Sequence, residues 1–316
     1  MKSDHKLLLL FAAGLVIFPW VITNPYYISV LVFVGIHSLL AMGLTLLLGF
    51  AGQISLCQAA FFGIGAYTSG ILTTKFGVNP WFAIVIAIGF TGTISVILGI
   101  PALKLRGHYL AMATLGFGEI VNIILREWVN ITGGPSGLTG IPRLNFAGIT
   151  LDTEVKYYFF IWVIVLGVMV FLLNLVRSRV GRALQALNRT EQAAEVMGIP
   201  VSQYKIKTFA LSSVLSSLAG SLYAHFITVI SPESYSIVFS LVILAMVIVG
   251  GMTSLWGSIL GAFVMTIVPE YLRVFEDWDV IIYGVILLSI LMFIPKGLVY
   301  GLQRLFRGTL KLFQVN

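Results

Sequence analysis

The sequence predicts an all-α fold: a polytopic transmembrane helical bundle of about ten spans, with some helices short or broken. Three observations carry this. The 316 residues are 59% hydrophobic and only 10% charged, where a soluble domain carries about 25% charged residues. The apolar residues fall in runs close to the roughly 20 needed to cross a bilayer as a helix. The basic residues collect in short gaps between those runs, as in cytoplasmic loops. Mean hydropathy is +1.02 and net charge is +7. With the cations in loops between apolar runs, that charge reads as membrane orientation and not as a nucleic-acid surface. The whole chain, 1–316, reads as one transmembrane domain.

The runs are 7–23, 28–49, 54–74, 81–103, 108–130, 157–176, 207–230, 237–250, 258–272 and 280–294. The first resembles a signal peptide, but no small-x-small cleavage site follows it, and it reads as a retained span. The run 54–74 is rich in Gly and Ser. Its Ala59/Gly63 and Ala66/Gly70 pairs are four apart and offer surfaces for close helix packing, including packing on a second subunit. Leu218, Ala219, Gly220 and Ser221 give the seventh run a similar seam. The runs 237–250 and 258–272 are short and separated by Gly250, Gly251, Met252, Thr253 and Ser254. They fit a broken or re-entrant pair, which must be buried in protein.

Charge orients the bundle. With the N-terminus inside, fourteen of nineteen basic residues lie in cytoplasmic segments: Lys2, Lys6, Lys104, Arg106, six within 177–207, Lys296, Arg304, Arg307 and Lys311. Asp152, Glu154, Glu233, Glu276, Asp277 and Asp279 fall on the other side. An even span count puts both termini in the cytoplasm, in a bacterial-type plasma membrane.

The polar stretch 177–207 holds eight of the 31 charged residues. Its middle reads as one or two short amphipathic helices ending at Gly198, with Pro200 just beyond. Such an insert between two spans presents a docking surface for another subunit.

Catalytic signals are absent. The chain has no P-loop, no H-E-x-x-H and no G-x-S-x-G. His5, His37, His108 and His225 show no metal-ligand spacing and read as packing or interface residues, and the single cysteine, Cys57, reads as a packing residue. We read no enzyme, no cofactor and no metal. Glu119 lies about midway along 108–130, where an ionised group is costly without a partner or water. Glu119, Asn122, Arg126 and Asn130 form one stripe at helical spacing. The stripe lines an aqueous vestibule, or Glu119 pairs with a neighbouring helix and fixes packing; both readings stand. The loop 130–142 holds four glycines and two prolines, and reads as a turn-rich lid or as a connector.

Three stretches resemble a known family. They are 52–67, GQISLCQAAFFGIGAY; 113–121, ATLGFGEIV, with 132–138, TGGPSGL; and 181–198, GRALQALNRTEQAAEVMG. Their order and spacing resemble the permease subunits of branched-chain amino acid ABC importers, specifically the larger of the two homologous permeases. Cys57 and Gln58 stand where relatives often have Gly and His. The resemblance implies a pathway formed with a homologous permease, two cytoplasmic ATPase subunits, an extracytoplasmic substrate-binding protein and surrounding membrane lipid, with no nucleic acid. It implies that Arg189, Thr190, Glu191, Ala194, Glu195 and Gly198 couple the chain to the ATPases. Glu119, Asn122, Arg126, Thr114, Gln53 and Ser55 are the candidates for the translocation path. The other readings are a urea or short-amide ABC permease and an ion-coupled secondary transporter with Glu119 as its ion site.

Overall fold

The computed structural model describes residues 24–105, 107–146, 149–272 and 297–305, with short pieces at 8, 11–16, 18–19, 284–285, 288–289 and 292. The expected spans 7–23 and 280–294 therefore lie largely outside the described residues. Apart from a short hairpin of two-residue strands, β1 (Asn145–Phe146) against β2 (Ile149–Thr150), the regular structure among the described residues is helical.

Helix α1 is Pro25–Thr45 and runs on into a π-helical turn, Leu46–Phe50. Then follow α2 (Gln58–Thr74), α3 (Pro80–Ala102), α4 (His108–Glu127), the short α5 (Val129–Thr132) and α6 (Glu154–Arg177). The polar insert supplies α7 (Arg179–Arg189) and α8 (Glu191–Val196). The chain continues as α9 (Val201–Ile227), α10 (Ile237–Gly250), α11 (Leu255–Leu272) and α12 (Leu298–Leu305). Among the described residues, six stretches are long and apolar enough to cross a membrane: Pro25–Phe50, α3, α4, α6, α9 and α11. Starts are set locally. Asn24 and Asn79 each accept from the backbone N–H two residues on, and Pro25 and Pro80 take the first helical position, where a missing N–H costs nothing.

Several expected spans change shape. The run 54–74 is helical only from Gln58, because 51–57 is non-helical backbone. At 17 residues, α2 sits among α9, α3, α10 and α4 and is buried along most of its length. A helix apolar all round is a buried helix. Its small residues are used inside the chain. A Cβ on Gly63 would stand 2.9 Å from the Tyr235 ring, and one on Gly70 3.1 Å from Ile141 and Leu138. The seams expected to be open to a second subunit are thus filled by this chain. Gly65 lies against the Ser217 backbone and Gly220 against the Phe62 carbonyl, so α2 and α9 cross with nothing between them.

Helix α10 has 14 residues, about 21 Å at 1.5 Å per residue, well short of the roughly 30 Å hydrocarbon layer. The reason lies upstream. The segment 228–236 runs alongside the helices and not beyond their ends: Asn122 Nδ2, within α4, donates to the Pro232 carbonyl at 3.0 Å, and Tyr235 packs on Gly63. A short 3₁₀ turn, Pro232–Tyr235, then leads into α10. Ile230, Pro232 and Tyr235 of this unwound stretch are buried in protein, whereas Val229 and Glu233 are exposed. Helices α10 and α11 form a tight hairpin, with Gly250 against the Gly257 carbonyl and Gly261 against the Met246 carbonyl.

Candidate functional site

The polar insert is folded and tied down from below. Ser178 caps α7 by accepting from Val180 N–H at 3.1 Å, and Gly181 fits directly against the Val176 carbonyl at the bend. Helix α7 buries Gly181, Ala183, Leu184 and Leu187 on one face, which leaves Arg182 and Arg189 outward. Thr190 is extended, and α8 then turns once and a half before stopping at Gly198, whose φ is +79°. Gly198 N–H donates to Glu195 O at 2.9 Å and Ile199 N–H to Ala194 O at 3.0 Å. These are the paired bonds of a Schellman stop, which needs the left-handed residue that glycine supplies.

Six coupling residues were expected here, and the structure divides them. Arg189, Thr190, Glu195 and Gly198 are exposed, whereas Ala194 is buried. Glu191 pairs with the buried Lys205 of α9, which fixes α8 to the long helix behind it. The sequence reading missed the tip itself: Val196 is 89% exposed and Met197 78%. Two bare apolar side chains on a polar segment are the signal that was available.

The second constellation surrounds 51–57. Leu56 N–H donates to Thr114 Oγ1 on α4 at 3.0 Å, and Ala59 N–H to Ser240 Oγ on α10 at 3.1 Å. Gln58 Nε2 donates to Ser212 Oγ at 2.8 Å, and Ser216 donates to Gln58 Oε1. Ser55 Oγ lies 3.2 Å from Cys57 Sγ, with both buried. Gln53 is 3% exposed, and neither polar atom of its side chain has a partner among the described residues.

Helix α4 is the least buried of the long apolar helices. The expected stripe splits there. Asn122 turns inward to the Pro232 carbonyl, and Thr114 holds Leu56, so both fasten backbone. Glu119, Arg126 and Asn130 are exposed on the outer face, with Met112 and Ile123 beside them. No hydrogen bond or ion pair joins Glu119 to another described residue. The loop 130–142 is laced to the start of 228–236: Leu138 and Ile230 exchange N–H···O bonds of 2.8 and 2.9 Å, and Ile141 N–H donates to Thr228 O at 3.1 Å.

Two of the histidines pack, while His108 is exposed and His5 lies outside the described residues. His37 meets Thr266 Oγ1 at 2.8 Å, and His225 sits between Ser69 Oγ at 2.8 Å and the Pro142 carbonyl at 2.7 Å. Among the described residues no three His, Cys, Asp or Glu side chains stand together as metal ligands.

Residues 26–291 match the family described as branched-chain amino acid transport system, permease component. The chain belongs to that family. It is similar to the high-affinity branched-chain amino acid transport system permease protein LivM of Escherichia coli, with 33% identity over 286 residues, covering 83% of this chain and 67% of that protein. It is similar to the probable LivM of Methanocaldococcus jannaschii, 26% identical over 271 residues, 76% of this chain and 77% of that one. It is also similar to the Escherichia coli permease protein LivH, 25% identical over 290 residues, covering 83% and 90%. No solved structure matches the chain. The permease is thus a multi-pass integral membrane protein, and its relatives are transport components and not enzymes. The three motif stretches fall, in this permease, on the 52–67 entry into α2, on α4 with the loop that follows it, and on α7–α8.

Proposed function

We propose that this permease forms a translocation pathway for branched-chain or related amino acids together with a second, homologous permease. Two cytoplasmic ATPases drive import by docking on 189–198, and an extracytoplasmic binding protein delivers the substrate. About ten spans, counting 7–23, 280–294 and the short α2 and α10 with the six long stretches, leave both termini in the cytoplasm. The single observation that carries the reading is the folded segment α7–α8, with its exposed Val196 and Met197 between two long helices. A cleft on a partner is the natural cover for that tip, since exposed apolar side chains clustered on a polar segment mark interaction sites. Support for a second permease comes from the outer face of α4. A bare carboxylate at Glu119 and a guanidinium at Arg126 are costly against lipid and suit a wet seam between two subunits. The similarity to both LivM and LivH of one organism's transport system agrees with a pair.

Retention of the ATPases on the affinity-purified complex tests the docking role. Val196→Asp combined with Met197→Asp should weaken retention about tenfold, the loss of roughly 1.4 kcal/mol. Full retention by the double variant would contradict the docking role of this segment.

A further inference from the structure

We propose that Asn188 is the positioning residue that carries movement of α7–α8 into the membrane, through a hydrogen bond to the π-helical end of α1. The inference rests on the reading of α7–α8 as the ATPase-docking segment. Asn188 Nδ2 donates to the Gly49 carbonyl at 2.7 Å, across 139 positions of sequence. Gly49 lies in the last turn of the helix, where carbonyls lack intrahelical partners, so the amide completes that turn. The contact is backbone-close on both sides. A Cβ on Gly52, whose φ is +67°, would stand 2.6 Å from Asn188 Oδ1. Gly49 itself lies directly against the Met252 carbonyl, in the turn between α10 and α11. Only the short Asn188 side chain stands between α7 and this backbone, so a shift of α7 is passed on with little slack.

The turn being gripped is one that can change. Leu46–Phe50 is a π-helical turn, closed by Ala51 N–H to Leu46 O at 3.2 Å. Single π turns within α-helices recur at functional sites. Immediately beyond it sits Gln53, buried and with its amide unpaired. A buried polar side chain left without a partner marks stored strain or a missing partner. The segment 51–57 is in turn bonded to α4 at Thr114 and leads into Ala59, bonded to α10 at Ser240. A displacement entering at Asn188 therefore reaches the helix that carries Glu119 and the α10–α11 turn, by packed and hydrogen-bonded steps.

The test uses the complete transporter reconstituted in vesicles, and reads substrate taken up per ATP hydrolysed. Asn188→Asp keeps the shape and replaces the donor with a carboxylate oxygen; Asn188→Ala removes the bond without adding charge. Both should keep the ATPases bound and hydrolysing while uptake per ATP falls about tenfold, within the usual range of coupling between sites. Unchanged uptake per ATP in both variants would overturn the inference. So would a parallel loss of assembly, hydrolysis and uptake in both, which is what a purely structural contact gives. The Val196→Asp and Met197→Asp double variant, run alongside, separates the two readings. If it sheds the ATPases while the Asn188 variants transport normally, the docking reading stands and the Asn188 inference fails. If it keeps them and transports normally, the docking reading fails and the inference falls with it.

Discussion

At the scale of single residues, Glu119 and Asn122 show how near neighbours on one stripe diverge. Helical spacing puts them on one side of α4, yet Asn122 donates to the Pro232 carbonyl whereas Glu119 is exposed. The difference arises from 228–236, whose unwound backbone presents the Pro232 carbonyl to Asn122. Glu119→Gln keeps the volume and removes the charge. Uptake should fall about 5–30-fold, the span of a 1–2 kcal/mol contact, with the complex assembled normally. Unchanged uptake would reduce Glu119 to a packing residue, and loss of assembly would make it structural. Charge made Glu119 visible in the sequence. The inward roles of Thr114 and Asn122 were not visible, because small polar side chains serve equally as path lining and as backbone fasteners. Gly198 was legible for a physical reason: a glycine followed two residues later by a proline ends a helix in few other ways.

At the scale of elements, the long uniform runs were read to within a few residues, and the broken ones were not. Helices α3 and α6 follow the apolar runs closely because nothing interrupts them. The entry to α2 was missed because 51–57 is apolar enough to continue a helix. Its backbone instead bonds across to Thr114, a partner 58 positions away. The π turn at Leu46–Phe50 likewise leaves no mark in composition. The α10–α11 pair was legible as broken, from its Gly-Gly junction, but its tightness is a property of the fold. Gly261 meets the Met246 carbonyl with no room for a Cβ. Gly261→Val should force the hairpin apart and cost about 1–3 kcal/mol. Thermal unfolding of the purified complex should shift down by about 2–4 °C for each kcal/mol. An unshifted transition would show that the hairpin repacks freely.

For the whole molecule, the arrangement joins two features that stand far apart in sequence. The polar insert α7–α8 is anchored on α9 through Lys205 and Glu191, and on the end of α1 through Asn188. The thinly covered α4 carries Glu119 and is bonded to the 51–57 segment through Thr114. The bilayer makes such a bundle readable from sequence, because every span must be apolar and the cations stay on one side. What passes between the subunits is not readable in the same way, since it depends on surfaces that only the assembled complex closes. The most direct measurement of the central claim is uptake of a labelled branched-chain amino acid into vesicles carrying the purified components, with no ion gradient across the membrane. Uptake is expected only when this permease, a second permease, the ATPases, internal ATP and the external binding protein are all present. Uptake by this chain alone, without ATP and driven by an imposed ion gradient, would contradict the account.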